Sequence, residues 1–175
     1  MTTQETLTAT QFKLKPLSKE GVEAAIAKAE QYRLLNQPEL AESICLDIQR
    51  IDPDNQRAAV ILLLALTDQF GQSSSKARTD ALKLANTLKD EYSRLYYAGI
   101  VHERQGSAAL TSRLPGAEFD AYEWYMEAME LYEKAEGVHK ASNDDPILRW
   151  NTCARLIMQY HLKPRPSEDR TAMLE

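Results

Sequence analysis

Two apolar stretches near the start of the chain repeat with the period of an α-helix and are separated by only two residues. In residues 19–35 and again in residues 38–51, apolar side chains recur every three or four positions, which places them on one helical face. The link, Asn36-Gln37, is too short for anything but an antiparallel helical hairpin.

Glycine and proline mark the ends of the apolar stretches. The chain has six glycines and seven prolines, and they act as helix boundaries. Pro38 and Pro146 suit the first turn of a helix, where a missing N–H costs nothing. No segment alternates in the manner of a strand, so we predict an all-α fold. The residues expected to adopt a left-handed conformation just after a helix are Asn36, Gly71, Gly106 and Gly137.

The first hairpin resembles a tetratricopeptide repeat (TPR). That pattern spaces a small residue, an aromatic residue, a second small residue and a proline so that two helices interlock, and Ala29, Tyr32, Ala41 and Pro53 hold this spacing. Counterparts of Ala29 follow at Leu63, Gly99 and Ala154, the first two at intervals close to the repeat length of about 34 residues. The chain is thus similar to a small, bacterial-type TPR protein.

The resemblance implies antiparallel hairpins stacked as a short right-handed superhelix, with about three hairpins and one closing helix. It covers residues 19–162, flanked by mobile tails at 1–18 and 163–175. The long last interval predicts an insertion at residues 107–119, around a Pro115-Gly116 turn. That insertion is either a loop that covers the neighbouring hairpin or a partner-binding loop.

Composition narrows the classes of partner. The chain has 26 acidic and 21 basic residues, a net charge of -5, and no basic cluster, so nucleic acid is not an expected partner. The longest apolar run is too short to span a bilayer, which needs about 20 residues, and no secretory signal is present. Cys45 and Cys153 lie in apolar helical patterns, so we expect core residues in a cytoplasmic protein.

No group of side chains predicts an active site. His102-Glu103 lacks the second histidine of a zinc-binding HExxH motif, and we expect no metal ion and no cofactor. Acidic residues of a later helix, among them Glu127 and Glu130, read as a solvated face rather than a catalytic pair. The opposite face is rich in aromatic and small residues, as in a helix buried between two neighbours. We therefore expect no enzyme activity.

What the TPR resemblance implies is a non-catalytic adaptor or assembly factor that holds a segment of a partner protein in a concave groove. The alternative is a structural or regulatory subunit of a larger complex, bound through outer faces and tails. The apolar wall residues could also be buried by a tightly curved stack. The sequence leaves the oligomeric state open. The predicted groove residues are Arg33, Arg57, Val60, Leu64, Tyr96, Ile100, Asn151 and Arg155.

Overall fold

The structure, a computed structural model, describes residues 13–71, 75–112, 114–138 and 142–166. All regular secondary structure in these residues is helical. This confirms the all-α prediction for those residues. A short 3-10 turn, Lys19–Gly21, leads into the first helix. Seven α-helices follow: α1 Val22–Leu34, α2 Pro38–Ile51, α3 Gln56–Asp68, α4 Ser75–Thr87, α5 Glu91–Ser112, α6 Ala117–Val138 and α7 Asp145–Gln159.

Each helix packs against the next one along the chain. In addition, α1 contacts α3 and α3 contacts α5, so these odd-numbered helices lie side by side. The most extensive contact joins α5 to α6. One cluster of buried apolar side chains lies among α1 to α5, and a second lies among α5, α6 and α7. The order of contacts gives three helix pairs followed by the single helix α7.

Several predicted helix boundaries are confirmed. Asn36, after α1, has a φ of 58°, and Gly71, after α3, has a φ of 91°. Both are left-handed, a conformation in which the chain can leave a helix and reverse. Pro38 and Pro146 lie in the first turns of α2 and α7. Asn55 caps α3, because its side-chain oxygen accepts a hydrogen bond from the backbone N–H of Ala58 at 2.9 Å.

The prediction that Gly106 and Gly137 end helices is wrong. Gly137 lies inside α6, and Gly106 lies well inside α5. A Cβ added at Gly106 would come within 2.9 Å of Cε1 of Tyr125 on α6, and one added at Gly99 would come within 2.5 Å of Cε1 of Tyr132. Gly99 and Gly106 are therefore places where a tyrosine ring of α6 lies directly on the backbone of α5.

These two contacts also show how α5 and α6 are aligned. Moving seven residues forward on α5, from Gly99 to Gly106, moves the contact seven residues back on α6, from Tyr132 to Tyr125. The two helices are therefore antiparallel and stay in register for two turns. Gly99 occupies the small position implied by the TPR resemblance.

The insertion predicted at residues 107–119 is also corrected. Residues 107–112 continue α5, residues 117–119 begin α6, and the chain reverses near Pro115 and Gly116, where Gly116 has a φ of 80°. The reason is that α6 packs extensively on α5, with Tyr132 at Gly99 and Tyr125 at Gly106. Ser107, in the supposed loop, makes a 3.1 Å hydrogen bond with the hydroxyl of Tyr125.

The two predicted tails, 1–18 and 163–175, fall mostly outside the described residues, which begin at 13 and end at 166. Within the described parts, Leu17 packs against the first core cluster. Arg165 pairs with Asp120 at 2.5 Å and lies over the ring of Phe119 at 5.5 Å. The contacts of Leu17 and Arg165 attach tail residues to the helical domain. The mobility of the tails stays a prediction.

Candidate partner-binding surface

One side of α3 is open to solvent while the rest of the helix is buried. Arg57, Val60, Leu64 and Asp68 follow at steps of three and four residues and are exposed or half-buried. Apart from Gln56 at its start, every other residue of α3 is buried. We call these four residues the α3 strip. Its two central side chains are apolar and its two ends are charged.

Ion pairs join the α3 strip to the helices on both sides. Arg57 pairs with Glu23 and Glu30 of α1, with N–O distances of 2.8 and 3.6 Å. Asp68 forms ion pairs with Arg33 of α1 at 2.7 Å and with Arg104 of α5 at 3.5 Å. The predicted groove residues Arg33 and Arg57 therefore already have carboxylate partners within the chain. A partner carboxylate would have to compete with them.

Tyr96 lies on α5, which contacts α3. It is half-buried and lies in an aromatic group, with ring centroids 5.5 Å from Tyr92, 5.3 Å from Tyr97 and 5.9 Å from Tyr132. Tyr96, Tyr97 and Leu64 all pack against the second core cluster. Five of the predicted groove residues, Arg33, Arg57, Val60, Leu64 and Tyr96, therefore lie on α1, α3 and α5, of which α3 contacts the other two.

Ile100 is not part of this surface. Only 2% of the residue is exposed, and it belongs to the second core cluster. Its place among the groove residues is therefore corrected. The reason is that α6 and α7 cover this side of α5. A short stack that ends in long helices is covered in this way. The sequence analysis left open that the stack itself buries the apolar wall residues. This is the case for Ile100, whereas Val60 stays partly exposed to solvent.

Asn151 and Arg155 lie on α7, on the side opposite its buried residues Pro146 and Cys153. Arg155 is exposed and Asn151 half-buried. Among the described residues, no hydrogen bond, ion pair or ring contact joins either of them to the α3 strip. The eight predicted residues therefore separate into a group around α3, a core residue, and a pair on α7.

The sequence reasoning missed the role of Glu103. This glutamate is 6% exposed and accepts hydrogen bonds from the hydroxyl of Tyr132 at 2.6 Å and from Arg149 at 2.9 Å. Burial works against the charged guanidinium, yet Glu103 and the Tyr96 hydroxyl raise the pKa of Arg149. The three side chains link α5, α6 and α7. The sequence did contain a signal for this role, because Glu103 shares a helical face with Tyr96, Gly99 and Ile100. An acid on such an apolar face is buried and therefore needs a partner.

Side chains with reactive groups are held in structural roles. His102 lies with Nδ1 2.8 Å from Glu127 and with its ring 5.4 Å from that of Trp124. Cys45 and Cys153 are free and buried, and burial raises the pKa of each thiol to about 12. A thiol with such a pKa is almost wholly protonated at neutral pH and is a poor nucleophile. The described residues contain no group of three potential metal ligands.

None of the helices in the described part of the chain has the length and apolar character needed to cross a bilayer. Comparison with known protein families, curated proteins and solved structures gave no match for this chain. The resemblance to the TPR pattern therefore depends on the residues of the chain itself.

Proposed function

We propose that this protein is a non-catalytic interaction module that holds a segment of a partner protein along the odd-numbered helices. The observation that supports this is the α3 strip. Val60 and Leu64 remain partly exposed on a helix that is otherwise buried, with Arg57 and Asp68 at the two ends. An apolar strip with charged ends suits a segment that offers an apolar side chain to the centre and polar groups to the rim.

The proposal includes a TPR-like, right-handed arrangement of the three helix pairs. It is supported by the side-by-side contacts of α1, α3 and α5 and by the small residues at the helix crossings. Ala29 and Ala41 are fully buried, and Gly99 receives a tyrosine ring. In such a stack the odd-numbered helices form the inner wall. We also place the protein in the cytoplasm, whose reducing conditions suit two free, buried cysteines.

The ion pairs of the wall determine what kind of segment fits. Because Arg33, Arg57 and Arg104 already face carboxylates, the wall has no large excess of either charge. Affinity would then come mainly from the apolar side chains that cover Val60 and Leu64. Charged groups of the partner would fix its orientation by exchanging with the existing pairs, and they would contribute little net energy.

The test is recovery of a partner from native cell extract, with variants that change the strip and leave the core intact. Val60→Lys and Arg57→Glu should keep the helical circular dichroism spectrum and lower recovery of the partner by about tenfold or more. The matched control is Leu46→Lys, because Leu46 is 48% exposed on α2, away from the strip. It should recover the partner as the wild type does.

The subunit alternative predicts the reverse result. Glu127→Lys changes an exposed carboxylate of α6 that lies beside His102, far from the α3 strip in the order of helices. If Glu127→Lys releases the partner while Val60→Lys retains it, binding occurs through an outer face and the groove proposal is wrong. Stoichiometric recovery with one enzyme would further favour the subunit role.

A further inference from the structure

The last helix leaves one side uncovered, and that side carries exposed apolar side chains together with the polar Asn151 and Arg155. α7 packs against α6, with Pro146 and Cys153 on its buried side. On its other side, Ile147 is 37% exposed, Leu148 is 61% exposed and Met158 is 65% exposed. Every earlier helix has a following helix to pack against, whereas none of the described residues after α7 forms one. Exposed apolar side chains concentrated on one helix of this length indicate an interaction surface.

A neighbouring face of α6 extends this surface and adds negative charge. Met126, Glu130 and Glu133 follow at steps of four and three residues and are exposed, so they share one face of α6. Glu133 joins that face to α7, because its carboxylate accepts a hydrogen bond from the indole N–H of Trp150 at 2.9 Å. We define the α7 end surface as Met126, Glu130, Glu133, Ile147, Leu148 and Met158.

A shallow recess lies where the two helices meet. It has a volume of about 200 Å³ and is lined by Glu133, Glu136, Ile147 and Trp150. Ile147 and Trp150 supply apolar atoms to its lining, and Glu133 and Glu136 supply two carboxylates. A lysine or arginine side chain suits such a site, because its methylene stem covers apolar atoms while its charged end reaches the carboxylates.

We propose that the α7 end surface binds an amphipathic helix of another protein, one with an apolar stripe and with lysine or arginine along the edge that meets α6. The apolar stripe would cover Leu148 and Met158, in the manner of a helix laid in a groove. The basic edge would lie against Glu130 and Glu133. This surface is separate from the α3 strip, and the inference does not depend on the proposed function of the strip.

Charge argues against the occupants that the chain itself could supply. Residues 167–175 contain Glu168, Asp169 and Glu175 against the single base Arg170, and residues 1–12 contain Glu5 and no base. Neither segment offers a basic edge. A second copy of the chain, paired about a two-fold axis, would bring the acidic rim of one copy into the same interface as the acidic rim of the other. Lys134, next to Glu133, offsets only part of that charge.

The experiment uses two fluorescein-labelled model helices of about 20 residues, a length that spans α7. One is built from leucine and lysine, and the other from leucine and glutamate with the same apolar stripe. Fluorescence anisotropy with the full-length protein should detect binding of the lysine helix and much weaker binding of the glutamate helix. The double variant Leu148→Asp/Met158→Asp should weaken binding by about tenfold or more.

Variants of the rim and of other surfaces make the test specific. Glu130→Gln/Glu133→Gln removes the charge yet keeps an acceptor for Trp150, and it should weaken binding about threefold and flatten its salt dependence. Leu46→Asp, on α2, and Val60→Lys, in the α3 strip, should bind the lysine helix as the wild type does. Thermal denaturation checks that every variant is folded.

Four results would overturn the proposal. The glutamate helix could bind as tightly as the lysine helix, or Leu46→Asp could weaken binding as much as the α7 double variant. Light scattering could show a dimer that Leu148→Asp separates, in which case a second copy covers the surface. Removal of residues 167–175 could create binding that the full chain lacks, in which case the end of the chain covers it.

Discussion

The four helices α1–α4 and the three helices α5–α7 are held together by different means. In the first group each helix has 13 or 14 residues, and the fully buried side chains include Ile26, Ile48 and Leu63. In the second group α5 and α6 have 22 residues each, and the largest fully buried side chains are Tyr125 and Tyr132. We refer to these groups as the aliphatic half and the tyrosine half.

The difference concerns where polar groups are placed. In the aliphatic half the pair Arg57–Glu23 stays near solvent, with side chains 57% and 75% exposed, and the less exposed pair Arg33–Asp68 lies at the other end of α3. In the tyrosine half each buried ring brings a hydroxyl into the interior, and that hydroxyl needs a partner. Ser107 and Glu103 supply it for Tyr125 and Tyr132. Packing of Tyr132 thus places an acid, Glu103, in the interior, and Arg149 pairs with that acid.

The largest expected effect follows from breaking this arrangement. Glu103→Ala removes the acceptor for the Tyr132 hydroxyl and leaves Arg149 without its carboxylate. The cost should be about 3 kcal/mol of unfolding free energy, the low end for a broken buried pair, because Arg149 reaches solvent in part. The measurement is urea denaturation followed by circular dichroism.

The matched variant in the aliphatic half is Glu23→Ala, which removes one partner of Arg57 in an exposed pair. It should cost less than about 1 kcal/mol. Equal losses for Glu103→Ala and Glu23→Ala would show that the Glu103 group behaves as a surface pair, and the contrast between the two halves would fail.

The second prediction concerns a helix crossing in the aliphatic half. Ala41 is fully buried where α2 meets its neighbours, so Ala41→Leu should overpack the crossing and cost about 2 kcal/mol. Ser43→Leu, at an exposed position of the same helix, should cost little. The neighbouring Glu42 does not suit as a control, since it accepts a hydrogen bond from Gln69 at 2.7 Å. The measurement is the thermal midpoint of each variant.

The third prediction uses the corresponding crossing in the tyrosine half. Gly99→Ala places a methyl group against the Tyr132 ring. The overpacking should outweigh the helix propensity gained by alanine and leave a net loss of about 1 kcal/mol. Gly137→Ala is the control, because Gly137 lies in α6 with no atom near an added Cβ. It should be neutral or stabilise the protein by up to about 1 kcal/mol. A stabilised Gly99→Ala would mean that the tyrosine yields easily.

The aliphatic half was largely predictable from the sequence, because its information is local. A three- and four-residue period identifies a helix, and Asn36 and Pro38 identify the turn between α1 and α2. These signals need no knowledge of what lies opposite. The repeat register that the TPR resemblance implies placed Val60 and Leu64 on one face of α3, and the structure leaves that face partly open.

The tyrosine half was less predictable, because the same residue has different roles in different surroundings. A glycine can end a helix or accept a ring, and Gly106 was assigned the first role although Tyr125 gives it the second. Likewise, Ile100 has the spacing of a wall residue, but α6 and α7 cover it. Which role applies depends on the helix that packs opposite, and that is a property of the tertiary structure rather than of the local pattern.

The smallest expected effect lies at the junction of the two halves. Arg78 of α4 lies over the ring of Trp124 of α6, with its guanidinium carbon 4.7 Å from the ring centroid. The same indole borders His102 of α5. Burial lowers the pKa of His102, and Arg78 acts in the same direction, while the carboxylate of Glu127 opposes them. The two halves therefore meet at a histidine that is held in its neutral form.

The pH dependence of stability follows from that lowered pKa. The unfolded chain binds the His102 proton with an ordinary pKa of about 6.5, and the folded protein binds it less tightly. The stabilising contribution is therefore complete above about pH 6.5 and is lost as the pH falls through the lower, folded pKa. Thermal denaturation between about pH 7.5 and 5.5 should show a larger loss for the wild type than for His102→Gln, while His161→Gln, at an exposed position, should follow the wild type. If the carboxylate of Glu127 instead had the largest effect on the pKa of His102, acidification would stabilise the wild type relative to His102→Gln. The contact between the two halves would then become stronger, not weaker, at low pH.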